Sequence, residues 1–288
     1  MGNATMFDHL LVALDLSPAA DPMLGCLQRL QAFGAKRLTL VHVARVEYPV
    51  FGSVANLDHY RERLEAMVPG LEAQGFRVEV VTAVGNPAPA ILQTARQVGA
   101  SLLLVGSRSE SRIREAFIGS VALGVVRRSP IPVLLQRLEP RSDLPHGPLA
   151  PSCCDLRSHI LFPTDFSDTA EQAFLLAEAM AQAGSRAFTL LHVIVEDQAE
   201  PGHLESARAG LNTLADRLRR AGATAVTPET VTGDPAAQIL GAASDHPDVL
   251  IVMGTQGRGM VAEAVLGSVS LEVMRRAPCS VLLAPGRP

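Results

Sequence analysis

The chain repeats itself at the scale of a whole domain. HLLVALDLS at His9–Ser17 matches HILFPTDFS at His159–Ser167, an offset of 150 residues, and Thr39–Val43 (TLVHV) matches Thr189–Val193 (TLLHV) at the same offset. Val84–Ala88 then aligns with Thr232–Ala236 at an offset of 148, so the second copy is two residues shorter in between. Between Leu102–Leu135 and Leu250–Leu283, fifteen of thirty-four aligned positions are identical. A period this long is a duplicated fold and not a solenoid unit. A length of 288 residues gives each copy enough chain to bury its own core.

Within each half, short aliphatic runs alternate with longer helical patterns, which is how a parallel sheet covered by helices reads. The pattern predicts strands near His9–Asp15, Leu38–Val43, Phe76–Thr82, Leu102–Gly106 and Pro132–Gln136. Their second-half counterparts lie near His159–Asp165, Phe188–Val193, Ala225–Val231, Val249–Gly254 and Ser280–Ala284. Ser167 before Ala170–Ala183 and Pro235 before Ala236–Ala243 are helix-start signals. Five strands and four helices per half, with right-handed crossovers, give two tandem α/β domains, each a doubly wound five-stranded parallel sheet of Rossmann or flavodoxin type. The expected boundaries are 1–137 and 159–288, joined by a linker at 138–158. The stretch Arg137–Ser158 holds four prolines and little periodicity. Glu47–Leu57 and Glu196–Gly202 read as surface loops where a lid could sit.

Composition narrows the partners. With 48% hydrophobic residues, no Trp and two Tyr, the core must be aliphatic, which suits buried parallel strands. A formal charge of -4 with scattered Lys and Arg disfavours nucleic acid. No apolar run reaches the roughly 18 residues a membrane span needs, and Met1–Asp8 lacks the order of a signal peptide. A soluble, cytoplasmic protein is expected. Cys26, Cys153, Cys154 and Cys279 offer no CxxC or CxxH spacing, so no metal site is expected. The adjacent Cys153 and Cys154 could bridge only with strain, and they read as free thiols in the linker.

The chemistry concentrates in the second half. Gly254-Thr255-Gln256-Gly257 follows a strand, and after nine further residues Gly267-Ser268 opens a helix. Glycines let backbone N–H groups approach an anion, and a helix N-terminus adds donors and a favourable dipole. The hydroxyls of Ser268 and Ser270 can donate to phosphate oxygens. Asp165 ends the first strand of the same domain, next to the fourth in a doubly wound sheet, where a carboxylate can accept from ribose hydroxyls. No GK[ST] of a Walker loop is present.

These residues resemble the universal stress proteins, and the likeness covers both halves. Gly254-x2-Gly257-x9-Gly267-Ser268 is similar to the G-x2-G-x9-G-[ST] pattern of that family's ATP-binding members. The resemblance implies an adenine nucleotide alpha hydrolase-like fold and an ATP or AMP site in the C-terminal domain. That site would comprise Pro163, Thr164, Asp165, Val193, Gly254, Gly257, Arg258, Gly267, Ser268, Val269 and Ser270, with Mg²⁺ held through the phosphates. It also implies pairing through the last strands, here an internal pseudo-dimer of Val133–Gln136 with Val281–Ala284; association of two chains into a homodimer and the protein partner stay open.

The first half departs from the pattern. Ser109 stands where Gly257 does, and Glu110 where Arg258 does. If the position needs a positive φ, a serine there costs about 1 kcal/mol or more, and Glu110 repels a triphosphate. Asp15, Val43, Gly106, Arg108, Gly119 and Ser120 form a weaker second site, and the expected role of this half is a partner domain kept for packing. His9, His42, His159 and His192 read as structural, and Arg127–Arg128 and Arg275–Arg276 complement helix dipoles. No general base for an attacking water is evident. The expectation is a nucleotide-dependent regulator in stress response; a slow ATPase or self-phosphorylating enzyme and a nucleotide-free interaction module are the alternatives.

Overall fold

The computed structural model describes residues 6–17, 20–45, 57–107, 118–140, 149–151, 157–195, 201–246, 248–257 and 266–286. The chain divides into two compact units that meet in sequence at Pro151 and Ser152.

In the first unit, β1 (His9–Ala13), β2 (Arg37–Ala44), β3 (Arg77–Val84), β4 (Leu102–Gly106) and β5 (Val133–Gln136) form a parallel sheet in the order β3-β2-β1-β4-β5. Winding reverses between β1 and β4, whose residues pair from Leu10↔Leu102 to Ala13↔Val105. Leu10, Leu11, Leu102 and Leu103 are fully buried. A strand covered on both faces must be apolar at consecutive positions, which is why this run does not alternate. The edge strand β3 instead has no buried position, with Arg77, Glu79 and Val84 exposed and the rest half-buried.

The helices of this unit are more broken than the four expected. Among the described residues, α1 (Ala20–Gly25) passes into a 3₁₀ segment at Leu27–Phe33, and α2 (Leu57–Glu65) is separated from α3 (Val68–Glu72). Gly25 ends α1, and Pro69, which has no N–H, stands in the first turn of α3. The longer α4 (Pro87–Val98) and the short α5 (Ser120–Val126) complete the unit.

Two short strands follow, β6 (Leu138–Pro140) and β7 (Leu149–Pro151), paired antiparallel within the stretch read as a linker. α1 packs against β7. Cys26, just past α1, is in a disulfide; Cys153 and Cys154, read as free thiols in the linker, lie outside the described residues. Cys279 carries a buried thiol.

The second unit repeats the plan with β8 (His159–Pro163), β9 (Ala187–Ile194), β10 (Ala225–Thr232), β11 (Val249–Gly254) and β12 (Val281–Ala284), in the order β10-β9-β8-β11-β12. Its four described helices are α6 (Asp168–Gln182), α7 (Pro201–Ala221), α8 (Pro235–Ser244) and α9 (Ser268–Arg276). Ser167 caps α6 by accepting from the Ala170 N–H, and Asp234 caps α8 by accepting from that of Ala237. Pro228 costs no ladder bond of an inner strand because β10 is an edge. Arg217 of α7 donates to Glu178 and Glu171 of α6 and lies over the Phe174 ring at 4.4 Å. Hydrogen bonding to Glu178 is the main reason its guanidinium is held above its usual pKa. Of the two loops expected beside the second strands, Leu57 begins α2 and Pro201–Gly202 begin α7; residues 47–56 and 196–200 lie outside the described residues. Among the described residues, no helix is long and apolar enough to cross a membrane.

The repeated histidines His9 and His159 sit at the starts of β1 and β8. His9 Nε2 is 2.8 Å from Thr39 Oγ1 and His159 Nε2 is 3.0 Å from Thr189 Oγ1. Burial lowers both pKa values; Arg37 adds to this at His9, and stacked His246 adds to it at His159. Each ring is then harder to protonate in the folded protein, and the unfolded chain takes up the protons first. Their contribution is fully present above about pH 6.5 and lost as pH falls below it. Urea midpoints should therefore drop between pH 7.5 and 5.5, and drop less steeply in His9→Gln/His159→Gln protein. A second expectation concerns the disulfide. Cys26→Ser should lower the unfolding free energy by about 2–4 kcal/mol without reductant, and by nothing measurable with it.

Candidate functional site

Each unit builds the same turn at the carboxyl end of its first strand. In the second unit, β8 ends at Pro163, and Thr164 follows with its N–H on the Leu191 carbonyl. The Thr164 hydroxyl accepts from the Phe166 N–H at 3.0 Å, and Asp165 Oδ1 accepts from the Ser167 N–H at 3.0 Å. Phe166 takes a left-handed conformation with φ 58°. The first unit repeats this with Leu16 at φ 57° and Asp15 accepting from the Ser17 N–H at 3.0 Å. A left-handed residue other than glycine costs energy and persists where its surroundings over-determine it. Here the Asp side chain closes the turn and a histidine braces it: His192 Nδ1 is 2.8 Å from the Thr164 carbonyl, and His42 Nδ1 is 2.9 Å from the Leu14 carbonyl.

Pro163 adds a feature the first unit lacks. It cannot donate from its nitrogen, and the β8–β11 ladder stops at Leu161↔Ile251, whereas β1–β4 continues through Ala13↔Val105. The ends of β8 and β11 are thus released from each other at the crevice where winding reverses.

The glycines after β11 fill that crevice with backbone. A Cβ on Gly254 would lie 2.9 Å from Thr169 Cγ2 and 3.0 Å from the Thr169 carbonyl, so α6 can approach only a glycine. A Cβ on Gly257 would lie 2.7 Å from Asp165 Oδ2. The loop therefore meets the carboxylate, as the motif spacing predicts. The reason for glycine is space: Gly257 is not in the left-handed region. The expected strain of a serine at this position is corrected accordingly, to a collision with the aspartate. Gly267 caps α9 with φ −72° and donates its N–H to the Thr255 carbonyl at 2.8 Å, which closes the loop.

Ser268 is exposed at the first turn of α9, Val269 is half-buried, and Val193 near the end of β9 is half-buried and paired with Val231. Ser270 is corrected: it is buried and donates its one proton to the Gly254 carbonyl at 2.9 Å, so it braces the loop and does not face an anion. Arg258 lies outside the described residues. Two contributors were missed from sequence: Thr255 is buried and its hydroxyl accepts from the Gly286 N–H, and Gly210 of α7 leaves room for the Phe166 ring, 2.8 Å from a Cβ there. His192, whose repeat with His42 read as structural, holds the turn.

In the first unit, Asp15, Val43, Gly106, Gly119 and Ser120 line one cavity of about 690 Å³. Arg108 and Ser109 lie outside the described residues. The volume falls within the range of small-molecule sites, about 300–1,000 Å³. Tyr60 of α2 closes one side, tilted on His42 at 4.5 Å between centroids, and Arg63 donates to the Leu16 carbonyl at 2.7 Å. The cavity gathers five of the six residues of the weaker second site expected in this half.

Fold and crevice together define a tandem α/β protein with a strand-end crevice in each doubly wound sheet. The chain belongs to the universal stress protein family, whose model matches residues 6–137 and again 157–285. A universal stress protein of Mycobacterium tuberculosis is 27% identical over 306 residues, spanning 98% of this chain and 97% of its own. One from Bacillus subtilis is 30% identical over 148 residues, spanning 46% of this chain and 100% of its own. Among solved structures, a universal stress protein of Archaeoglobus fulgidus is similar with a TM-score of 0.71 at 23% identity, covering 96% of this chain and 98% of its own.

The two glycine contacts differ in a measurable way. Gly254→Ala drives a Cβ against backbone and should cost about 1–3 kcal/mol of stability. Gly267→Ala, whose nearest atom is 3.6 Å away, should cost less than about 1 kcal/mol. Denaturant unfolding of the two variants side by side checks the difference.

Proposed function

We infer that the C-terminal domain binds an adenine nucleotide, ATP or AMP, and that the protein acts in stress response as a nucleotide-dependent regulator. The observation that carries this is the approach of Gly257 to Asp165 at the winding reversal, a cradle that a single Cβ would fill. Open strand-end crevices of this kind are where doubly wound sheets take ligands. Asp165 Oδ1 accepts from the Ser167 N–H and Oδ2 faces Gly257, so the carboxylate is the candidate partner of ribose hydroxyls. The Val193 backbone at the end of β9 is the candidate wall for adenine, with Pro163 and Thr164 shaping the turn. Gly254, Gly257, Gly267 and the exposed Ser268 would surround the phosphates at the start of α9, with Arg258 as a further cation. Mg²⁺ would be carried by the phosphates.

Titration of ATP and AMP into wild-type and Gly257→Asp protein tests the reading. The added carboxylate enters the space between loop and Asp165, so affinity should fall about tenfold or more, equivalent to roughly 1.4 kcal/mol or more. Equal affinity in the two proteins, or no binding by wild type, would overturn it.

A further inference from the structure

The first unit has another concavity at the opposite end of its sheet. About 490 Å³ lies at the amino ends of β1, β2 and β3, with Leu38 and Phe76 as apolar walls and His9, Arg37, Glu72, Arg77 and Glu79 as polar ones. That volume is enough for a small molecule. Register explains the grouping. His9 pairs with Arg37 and Arg37 with Arg77, while Glu79 pairs with Thr39, the residue that His9 Nε2 meets. Side chains two apart on a strand share a face, so Arg77 and Glu79 project together from β3, about 7 Å apart along it.

The second copy closes the same corner with its own side chains. The carbonyls of Glu72 and Arg219 accept from the N–H groups of Gly75 and Gly222, and those of Lys36 and Arg186 accept from Arg77 and Ala225, so these positions are equivalent. In the second copy Arg219 donates to the Val226 carbonyl and Arg186 to the Gly222 carbonyl. The strand positions of Arg37, Arg77 and Glu79 are filled there by Ala187, Ala225 and Thr227. The shared scaffold therefore requires none of the three charges. In the first copy Arg37 donates through Nε and Nη2 to Asp8, whereas Glu72, Arg77 and Glu79 make no side-chain hydrogen bond or ion pair among the described residues. Asp8, Glu72 and Glu79 balance Lys36, Arg37 and Arg77 in and beside the cavity. A lone anion or a lone cation gains at one group and loses at its neighbour, and a ligand that carries both charges gains at each.

We propose that this cavity binds a free α-amino acid with an apolar side chain, its carboxylate on Arg77 and Arg37, its ammonium on Glu79 and Glu72, and its side chain against Leu38 and Phe76. Charge-assisted hydrogen bonds at both ends supply affinity and fix the orientation. The cavity shares no lining residue with the strand-end crevice around Asp15. The inference is therefore independent of nucleotide binding by the C-terminal domain.

Titration of L-leucine into the full-length protein, followed by amide-resolved NMR, tests it, with isocaproate and isoamylamine as analogues that lack the ammonium or the carboxylate. Leucine should shift the amides of Leu38, Val78 and Glu79 and leave those of Asp15 and Gly257 in place. Each analogue should bind about tenfold more weakly or worse. Arg77→Ala and Glu79→Thr, which install the second copy's residues, should each weaken leucine about tenfold with the thermal midpoint retained. No binding of leucine is the result expected of charges that only guard a sheet edge, and it would overturn the proposal. So would an analogue as tight as leucine, shifts centred on Asp15 or Gly257, or indifference to either substitution.

Discussion

A strand-to-helix turn held by one aspartate side chain underlies both units. Asp15 and Asp165 each accept from the N–H two residues on and allow the intervening residue to sit in the left-handed region. That turn ends the first strand at the place where the sheet reverses its winding, and it leaves the second carboxylate oxygen of Asp165 facing the loop from the fourth strand. The histidine from the second strand binds the carbonyl before the aspartate in both copies, so two neighbouring strands brace the turn that carries each carboxylate. A crevice positioned this way needs no mobile element to form.

What divides the two copies is electrostatic and steric, acting on a shared scaffold. Pro163 ends the ladder early in the second unit, and Gly254 and Gly257 let backbone occupy space that side chains would contest. The first unit keeps Asp15, Gly119 and Ser120 around a cavity of about 690 Å³. Duplication supplied two strand-end crevices on one scaffold, and substitutions such as Pro163 for Ala13 and Gly257 for Ser109 set the copies apart.

Much of this was readable from the amino-acid order because aliphatic runs buried on both faces leave an unmistakable pattern. All ten sheet strands fall where the periodicity places them, within a few residues at each end. The meeting of Gly257 with Asp165 was legible too, since the spacing and the strand order together bring them to one place. The reason for the glycine was not, because a sequence does not say whether a position needs a positive φ or an empty volume. The role of Ser270 was misread for a similar reason: a hydroxyl one turn into a helix looks available until the Gly254 carbonyl is placed beside it. The Cys26 disulfide left no spacing motif in the sequence, and the breaks in the first unit's helices came from local turn chemistry that weak periodicity does not resolve.

The central claim is that the aspartate and glycine loop of the second unit hold an adenine nucleotide. The most direct measurement is to denature the purified protein and identify by mass spectrometry what it releases, before and after incubation with ATP and Mg²⁺. The account predicts an adenine nucleotide from the wild-type protein in stoichiometric amount. Release of none, even after incubation with ATP and Mg²⁺, would contradict it.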